Sequence, residues 1–298
     1  MDQFCGIFTP ICTPFDAELE VDREALALHL EFQLANGIHG IITCAGTGQF
    51  SALSLAERVF VTRETVAAVN RRVPVFAHAG SCSTADAVAL SKDAMESGAD
   101  GLLISPPYYE IPAPDQIFGY FETISRSVSL PIMVYNNPYA SKINIDRGLL
   151  SRLCKIDNVK MLKEGSDDLV QFQRIVAEFG QRLAIFNGWD TGALATFVHG
   201  AAGCAWGAAN AIPGACVELY RLAVEIGDIQ SARSLWDKLF PINYFFESNG
   251  YASSIKAATK LAGVDLGASR PPLTEPDGRK LDELGSLLET LNEPAEAA

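Results

Sequence analysis

Residues 158–165 read Asn-Val-Lys-Met-Leu-Lys-Glu-Gly, a short apolar run that carries a lysine near its end. The pattern predicts a buried strand, and period-two alternation places Val159, Met161 and Lys163 on one face. If that face lines a core, the ammonium form of Lys163 is poorly solvated, which favours the neutral, nucleophilic amine. The alternative is an ordinary strand whose lysines extend their charged ends to water. The rest of the chain must decide between these two interpretations.

Short apolar runs of this kind recur along the first two-thirds of the chain and alternate with segments of helical periodicity. One helix is predicted to begin at Ser54, because Glu57 follows three residues later as in a capping box, and another to end at Gly98. The predicted strands cover residues 6–11, 40–44, 75–79, 101–104, 132–136, 160–164, 183–187 and 204–207. Besides the helix that begins at Ser54, helices are predicted at residues 22–34, 84–98, 115–127, 145–154, 166–179 and 192–199.

This alternation favours an α/β fold, specifically a (β/α)8 TIM barrel, because eight strands recur about every 30 residues. The competing α/β solution is a doubly wound sheet, which would carry GxGxxG after its first strand if it bound a dinucleotide. The nearest match, Gly46-Thr47-Gly48, follows the second predicted strand and lacks the third glycine. We therefore predict the barrel.

The pattern becomes wholly helical after Pro213, with predicted helices at residues 215–225, 229–246, 253–261 and 279–291. A barrel of eight strands needs less helix than this. We therefore predict two parts: residues 1–213 form the barrel that carries the active site, and residues 214–298 form a C-terminal helical extension packed on the barrel.

Composition narrows the class of protein. The net charge of −13 argues against nucleic acid or an anionic membrane as a partner, and no apolar run is long enough for a transmembrane helix. The seven cysteines form no CxxC pair, and no signal peptide is apparent, so we expect reduced, mostly buried thiols and a cytoplasmic protein. The four scattered histidines have no metal-ligand spacing, so no metal site is expected.

Unusual residues fall where the predicted strands end, which is where a barrel of this type carries its reacting groups. The second strand leads into Ala45-Gly46-Thr47-Gly48-Gln49, the Gly/Thr loop, which can hold a carboxylate through backbone N–H groups and a hydroxyl. Tyr109 follows strand four, Tyr135 ends strand five and Lys163 lies on strand six. Asp190, after strand seven, has two possible roles, as the N-cap of the next helix or as a substrate ligand.

At these residues the chain resembles the dihydrodipicolinate synthase/N-acetylneuraminate lyase family of Schiff-base barrel enzymes. The resemblance spans residues 6–273 and includes Thr9-Pro10-Ile11-Cys12-Thr13-Pro14-Phe15, Pro107-Tyr108-Tyr109, Tyr135-Asn136-Asn137-Pro138 and Lys163-Glu164. It implies that Lys163 forms an imine with a 2-oxo acid, that Tyr135 shuttles protons and that Tyr109 is offered across a subunit interface. The resemblance also implies a homotetramer built as a dimer of dimers. The implied substrate-binding residues are Gly46, Thr47, Gly48, Gly188, Asp190 and Ala205.

Two departures from the family pattern bear on the substrate. Gly46 stands where a hydroxyl usually joins the tyrosine proton relay, which puts that relay in doubt. Ala140 stands where dihydrodipicolinate synthases carry an arginine that grips a second carboxylate, and a methyl group cannot make that contact. Residues 187–190, Asn-Gly-Trp-Asp, resemble the Asn-Gly-Phe-Asp of sialic acid lyases, where the aspartate holds sugar hydroxyls.

The sequence therefore predicts a class I lyase that acts on a small 2-oxo acid through a covalent imine on Lys163, with no separate cofactor. Aldol cleavage or condensation of a keto-deoxy or hydroxy-oxo acid, releasing pyruvate, is the main hypothesis. The alternatives are a dehydratase or deaminase of a keto-deoxy sugar acid or a hydroxy-pyrroline carboxylate, a 4-hydroxy-tetrahydrodipicolinate synthase, which Ala140 disfavours, and a non-catalytic ligand-binding barrel.

Overall fold

A computed structural model describes residues 4–292 and confirms the predicted TIM barrel. Eight parallel strands close in sequence order, so that β8 pairs with β1. The prediction succeeded because each strand is a buried apolar run, which is the expected pattern for a parallel sheet covered on both faces. The strands are β1 (Gly6–Pro10), β2 (Gly40–Thr43), β3 (Val75–His78), β4 (Gly101–Ile104), β5 (Ile132–Asn136), β6 (Val159–Glu164), β7 (Ala184–Asn187) and β8 (Gly203–Ala205).

Helices follow the strands around the barrel, and the predicted capping signals are confirmed. Ser54 caps its helix in a capping box with Glu57, and Gly98 lies just beyond a helix end with φ of +86°. The helices are α1 (Arg23–Ala35), α2 (Leu55–Val69), α3 (Thr84–Glu96), α4 (Pro114–Ser127), α5 (Pro138–Ser141), α6 (Arg147–Leu153), α7 (Leu169–Phe179), α8 (Ala193–Val198), α9 (Pro213–Tyr220), α10 (Ile229–Ser248), α11 (Tyr251–Leu261) and α12 (Gly278–Glu289).

Two apolar cores lie on the two faces of the sheet. The outer core fills the space between strands and helices, and the smaller inner core fills the barrel. Met161 belongs to the inner core, whereas Val159 belongs to the outer core. The prediction that both share one face is wrong for Val159, because the pairing of β5 with β6 shifts register between Ile132 and Met133.

Helix α9 follows β8 and continues as a wider, π-type turn over Arg221–Ile226. It packs against β1, in the place of the eighth helix of the ring. We therefore propose that α9 closes the barrel and that the C-terminal extension comprises α10, α11 and α12, which begins later than the predicted residue 214. The last six residues of the predicted extension lie outside the described part of the chain.

Among residues 4–292, no helix has the length and apolar character needed to cross a bilayer. Across the same residues, no group of three or more His, Cys, Asp and Glu side chains is arranged to hold a metal ion.

Candidate active site

Lys163 and Tyr135 form the centre of the candidate site. They are directly paired in the parallel register of β5 and β6, and both point into the barrel, as their inner-core neighbours Met133 and Met161 do. The Nζ of Lys163 lies 4.2 Å from the centroid of the Tyr135 ring. Within the described part of the chain, Nζ has no hydrogen-bond or ion-pair partner. The lysine is 5% exposed, so its amine is enclosed in the barrel and available to react with a bound substrate.

The phenol of Tyr135 is oriented by Asn137. Asn137 Oδ1 accepts a hydrogen bond from the N–H of Ala140, which fixes the amide so that its Nδ2 faces the phenol. Nδ2 then donates to Tyr135 Oη at 2.9 Å. Because that contact uses a lone pair of the phenol oxygen, the hydroxyl hydrogen of Tyr135 remains available for transfer.

The Gly/Thr loop lies at the carboxyl end of β2 and is held against β1. Thr13 Oγ1 donates to the carbonyl of Gly48 at 2.7 Å, and a Cβ on Gly48 would lie 2.8 Å from the carbonyl of Ile11. Only glycine fits at that approach. Thr47 is 4% exposed, whereas Gly46 is exposed and a Cβ there would meet nothing within 4 Å. Residue 46 therefore has room for a side chain that this sequence does not supply.

Glu164, the residue after the lysine, points outward into a buried polar network. Its carboxylate accepts hydrogen bonds from Asn136 Nδ2 at 2.9 Å and from the N–H of Ser166 at 2.9 Å. Asn136 Oδ1 also accepts from the N–H of Ile145. Burial raises the pKa of Glu164. The network joins the ends of β5 and β6 and so fixes the relative positions of Tyr135 and Lys163.

Asp190 has a structural environment that the sequence did not predict. Its carboxylate accepts hydrogen bonds from the N–H of Ala208 at 3.0 Å, from the N–H of Gly207 at 3.3 Å and from Tyr251 Oη at 2.8 Å. Burial, with the charge of Glu247, raises the pKa of Asp190 to about 7. The carboxylate is 1% exposed, so a substrate hydroxyl would have to replace one of these partners.

Of the two roles expected for Asp190, that of N-cap of the following helix is wrong. Helix α8 begins at Ala193 with Gly192 as its N-cap, and Asp190 lies in a short 3-10 turn before it. The carboxylate instead caps a different element, the turn Gly207–Asn210 that follows β8. Sequence reasoning missed this pairing because it requires both the pairing of β7 with β8 and the packing of α11, which carries Tyr251, against the turn after β8.

The other predicted site residues are placed around the barrel mouth at different depths. Gly188 follows β7 beside Lys163, and Ala205 ends β8 within the inner core. Tyr109 is 84% exposed on the loop between β4 and α4, away from the enclosed centre of this chain. The structure thus gathers the predicted residues at the carboxyl ends of the strands, except that Tyr109 extends outward.

Sequence reasoning missed His78, which was considered only as a possible metal ligand. His78 ends β3 and lies 3.1 Å from Ser105 Oγ through its Nε2. The Nη2 of buried Arg58 donates to the backbone carbonyl of His78 at 2.7 Å. Alternation from Phe76, an inner-core residue, was the signal that would have placed the histidine inside the barrel.

These contacts define an enclosed site with a free amine, a phenol beside it and a glycine-rich loop across the barrel. Such a set can form and break a carbon–nitrogen double bond at a carbonyl carbon, since the amine is the nucleophile and the phenol moves the protons.

Comparison with known proteins identifies the family of this chain. The model of the dihydrodipicolinate synthetase family matches residues 3–291. A 4-hydroxy-tetrahydrodipicolinate synthase of Syntrophobacter fumaroxidans is 35% identical over 257 residues, which cover 86% of this chain and 87% of the relative. The enzyme of the same name from Methanoculleus marisnigri is 34% identical, with 96% of this chain and 98% of the relative covered.

Solved structures extend the comparison to the fold. A structure described as a putative dihydrodipicolinate synthetase from Pseudomonas aeruginosa superposes with a TM-score of 0.94 at 31% identity, covering 97% of this chain and 99% of that one. YagE, a prophage protein of Escherichia coli K12 solved in complex with pyruvate, gives a TM-score of 0.92 at 27% identity, with the same coverage. The chain therefore belongs to the dihydrodipicolinate synthetase family and is a lyase.

Proposed function

We propose that this lyase forms an imine between Lys163 and a small 2-oxo acid and cleaves or forms a carbon–carbon bond next to that imine, with pyruvate as the common product or substrate. The observation that carries the proposal is the enclosed amine of Lys163, 4.2 Å from the centroid of the Tyr135 ring. The covalent imine makes a separate cofactor unnecessary. Solution of a related structure in complex with pyruvate supports the choice of acid.

Imine formation uses three parts of the site. The substrate carboxylate binds Thr47 and neighbouring backbone N–H groups of the Gly/Thr loop. The neutral amine of Lys163 attacks C2, and the carbonyl oxygen becomes a hydroxyl. Tyr135 transfers one proton from the attacking nitrogen to that oxygen and then gives its own proton to the hydroxyl, which leaves as water, so that a protonated imine and the Tyr135 phenolate remain.

The protonated imine then acts as an electron sink. In a 4-hydroxy-2-oxo acid, the C4 hydroxyl gives its proton to the Tyr135 phenolate, the C3–C4 bond breaks, and its electron pair moves into an enamine as C4 becomes an aldehyde or ketone. A proton added at C3 restores the imine, and water releases pyruvate and the free Lys163 amine. Condensation is the reverse sequence.

Two other reactions start from the same imine. Loss of a hydroxyl or an amine instead of an aldehyde would give a dehydratase or deaminase. Condensation of pyruvate with an amino-aldehyde would give the synthase named among the relatives, but Ala140 is a poor substitute for a carboxylate-binding arginine at that position. We favour aldol cleavage, and the chain's retention of both Lys163 and Tyr135 argues against a non-catalytic ligand-binding barrel.

We also propose that the protein acts as a homotetramer built as a dimer of dimers, with Tyr109 offered to the site of a second copy. The support is the exposure of Tyr109, at 84%, next to Ile111, at 62%, on one loop. Exposed apolar side chains grouped in this way are typical of a protein–protein contact. Light scattering at working concentrations would test the subunit number.

The decisive experiment is reduction with borohydride in the presence of pyruvate, followed by peptide mass mapping. We expect one adduct, located on Lys163. The absence of any adduct with pyruvate and with longer 2-oxo acids would overturn the imine. A panel of 2-oxo acids, assayed for pyruvate, for ammonia and for water-loss products, then separates the aldolase from the deaminase and the dehydratase.

A further inference from the structure

A second polar pair, His78 and Ser105, lies on the inner wall of the barrel. His78 is the last residue of β3, and Ser105 directly follows β4. Both continue the inward alternation of inner-core residues, from Phe76 on β3 and from Leu103 on β4. His78 Nε2 and Ser105 Oγ are 3.1 Å apart. The pair has no part in the imine chemistry described above.

The direction of this hydrogen bond follows from the other ring nitrogen. His78 Nδ1 lies 3.0 Å from the carbonyl oxygen of Cys44, which can only accept, so Nδ1 carries a hydrogen. The guanidinium of Arg58 lies 3.4 Å from the same nitrogen. Burial and the Arg58 charge lower the pKa of His78 well below its usual value. The ring is therefore neutral, its Nε2 is an acceptor, and the hydroxyl hydrogen of Ser105 is donated to it.

Ser105 sits at the level of the reacting groups. Ile104 pairs with Val134, and Tyr135 pairs with Lys163, so the register brings Ser105 beside Tyr135 on the next strand. Ser105 is partly exposed, whereas His78 behind it is buried. Since its hydrogen is committed to the histidine, Ser105 has only lone pairs left for a group inside the cavity.

The surroundings preserve this arrangement. A Cβ on Gly80 would lie 2.5 Å from Ser105 Oγ and 2.8 Å from His78 Nε2, so glycine leaves the space that the pair occupies. The ring of Phe50 packs edge-on against the imidazole, with centroids 4.6 Å apart. Phe50 thus gives the pair an apolar neighbour, and Ser105 Oγ is the polar atom that this part of the wall presents to a substrate group.

We infer that Ser105 is a specificity-determining residue that accepts a hydrogen bond from a hydroxyl on the substrate chain beyond C3, and that His78 is the positioning residue that turns the serine's lone pairs toward it. The substrate class is then a hydroxylated 2-oxo acid. This inference rests on the proposed function, because the acid must be held as an imine on Lys163 for its chain to reach Ser105.

The test compares 4-hydroxy-2-oxopentanoate with 2-oxopentanoate, two acids that differ by one hydroxyl. Borohydride capture on Lys163 is titrated for each acid, and adducts of the intact acid and of any released pyruvate are counted together. We expect the wild-type protein to be half-saturated at an about fivefold to tenfold lower concentration of the hydroxy acid. In Ser105→Ala the ratio should fall to about one, whereas Ser286→Ala, an exposed serine on α12, should keep the wild-type ratio.

The outcomes separate the two hypotheses. If adducts form on Lys163 but the wild type shows no preference, or if Ser105→Ala keeps the preference, the role of Ser105 is overturned and the imine stands. If neither acid nor pyruvate gives an adduct, the proposed function falls, and the inference falls with it. Circular dichroism of each variant checks that the ratios come from folded protein.

Discussion

Gly188 packs directly against Lys163. A Cβ placed on Gly188 would lie 3.0 Å from Cγ of the lysine and 2.7 Å from the carbonyl oxygen of Glu164. These distances are too short for a real Cβ. Gly188, which directly follows β7, therefore leaves the space that the Lys163 side chain occupies. A methyl group at residue 188 must push either the lysine or strand β6.

We therefore expect Gly188→Ala to slow imine formation at least about tenfold and to lower the free energy of unfolding by about 1–3 kcal/mol. Stopped-flow measurement of imine formation and chemical denaturation check the two effects. Gly119→Ala is the matched control, because a Cβ there meets nothing within 4 Å and the residue lies inside α4. That control should gain about 0.5–1 kcal/mol of stability. Equal rates in the two variants would contradict the packing argument.

Lys163→Met should abolish turnover and borohydride capture, because methionine has no nucleophile. The fold should survive, since methionine fills a similar volume and the amine has no hydrogen-bond or ion-pair partner to lose among the described residues. We expect a change in unfolding free energy of less than about 1.5 kcal/mol. The checks are activity, adduct mass and denaturation on the same sample. Activity retained by folded Lys163→Met would reject the imine mechanism.

Tyr135→Phe should slow imine formation by about 100-fold to 10,000-fold, because the ring remains beside Lys163 while the proton-carrying oxygen is lost. Equilibrium binding of pyruvate should change much less. Asn137→Ala is the companion variant: it removes the donor that orients Tyr135 Oη at 2.9 Å and should cause a smaller loss. An unchanged rate in Tyr135→Phe would remove the phenol from proton transfer.

Much of the fold was predictable because local pattern and global structure agree in a parallel barrel. The eight buried runs, the Ser54 capping box and the Gly98 helix end are all local signals, and each is confirmed. Val159 was placed on the wrong face because a register shift between neighbouring strands leaves no trace in one strand's alternation. The boundary between barrel and extension was predicted at residue 213, and our proposal that α9 belongs to the barrel depends on its contact with β1, which no local pattern predicts.

The candidate site was predictable where chemistry and strand position coincide, as for Lys163 and Tyr135. For Asp190, the sequence predicts the position at a strand end but not the hydrogen-bond partners. Its partners Gly207 and Ala208 follow the adjacent strand β8, and Tyr251 lies on α11, so only tertiary packing brings them to its carboxylate. A polar residue at a strand end predicts a position at the mouth, but its hydrogen-bond partners decide whether it faces the substrate.

The raised pKa of Asp190 makes stability depend on pH. The native state keeps a proton that the unfolded chain releases, because the pKa is about 7 in the fold against 3.8 without it. Below pH 3.8 this contribution to stability is present in full, and it is lost as the pH rises toward 7. The slope is at most about 1.4 kcal/mol per pH unit.

Asp190→Asn should therefore flatten the fall in unfolding free energy between pH 4 and pH 7, measured by denaturation as the difference from wild type. An asparagine can still accept from Ala208 through Oδ1 and can donate to Tyr251 through Nδ2. Tyr251→Phe is the companion, because the Tyr251 hydroxyl lowers the pKa of Asp190, so its loss should extend the slope above pH 7. Parallel pH curves for wild type and Asp190→Asn would contradict the assignment.

Arg270 ties the C-terminal segment to the loop that carries Thr47. Its Nε donates to the carbonyl of Leu19 and its Nη1 to the carbonyl of Ala52, each at 2.8 Å, and its Nη2 pairs with Glu57. The guanidinium lowers the pKa of Glu57 to about 2. Gln49, at the end of the Gly/Thr loop, donates to the carbonyl of Arg270 at 3.3 Å, so the loop and the Phe50–Ala52 turn after it are held by a residue more than 200 positions away in the sequence.

We expect Arg270→Ala to lower the unfolding free energy by about 2–4 kcal/mol, because two carbonyls and a partly buried carboxylate lose their donor. It should also raise the pyruvate concentration that half-saturates Lys163 capture, because the carboxylate-binding loop loses its support. In wild type, the Glu57 pairing is lost as the pH falls from 4.5 toward 2, and the variant should show a weaker dependence, because only the Ser54 hydrogen bonds then lower the pKa of Glu57. Arg279→Ala, an exposed arginine on α12, is the control and should change stability by less than about 0.5 kcal/mol. Unaltered capture in destabilised Arg270→Ala would show that the loop holds its geometry without the Arg270 guanidinium.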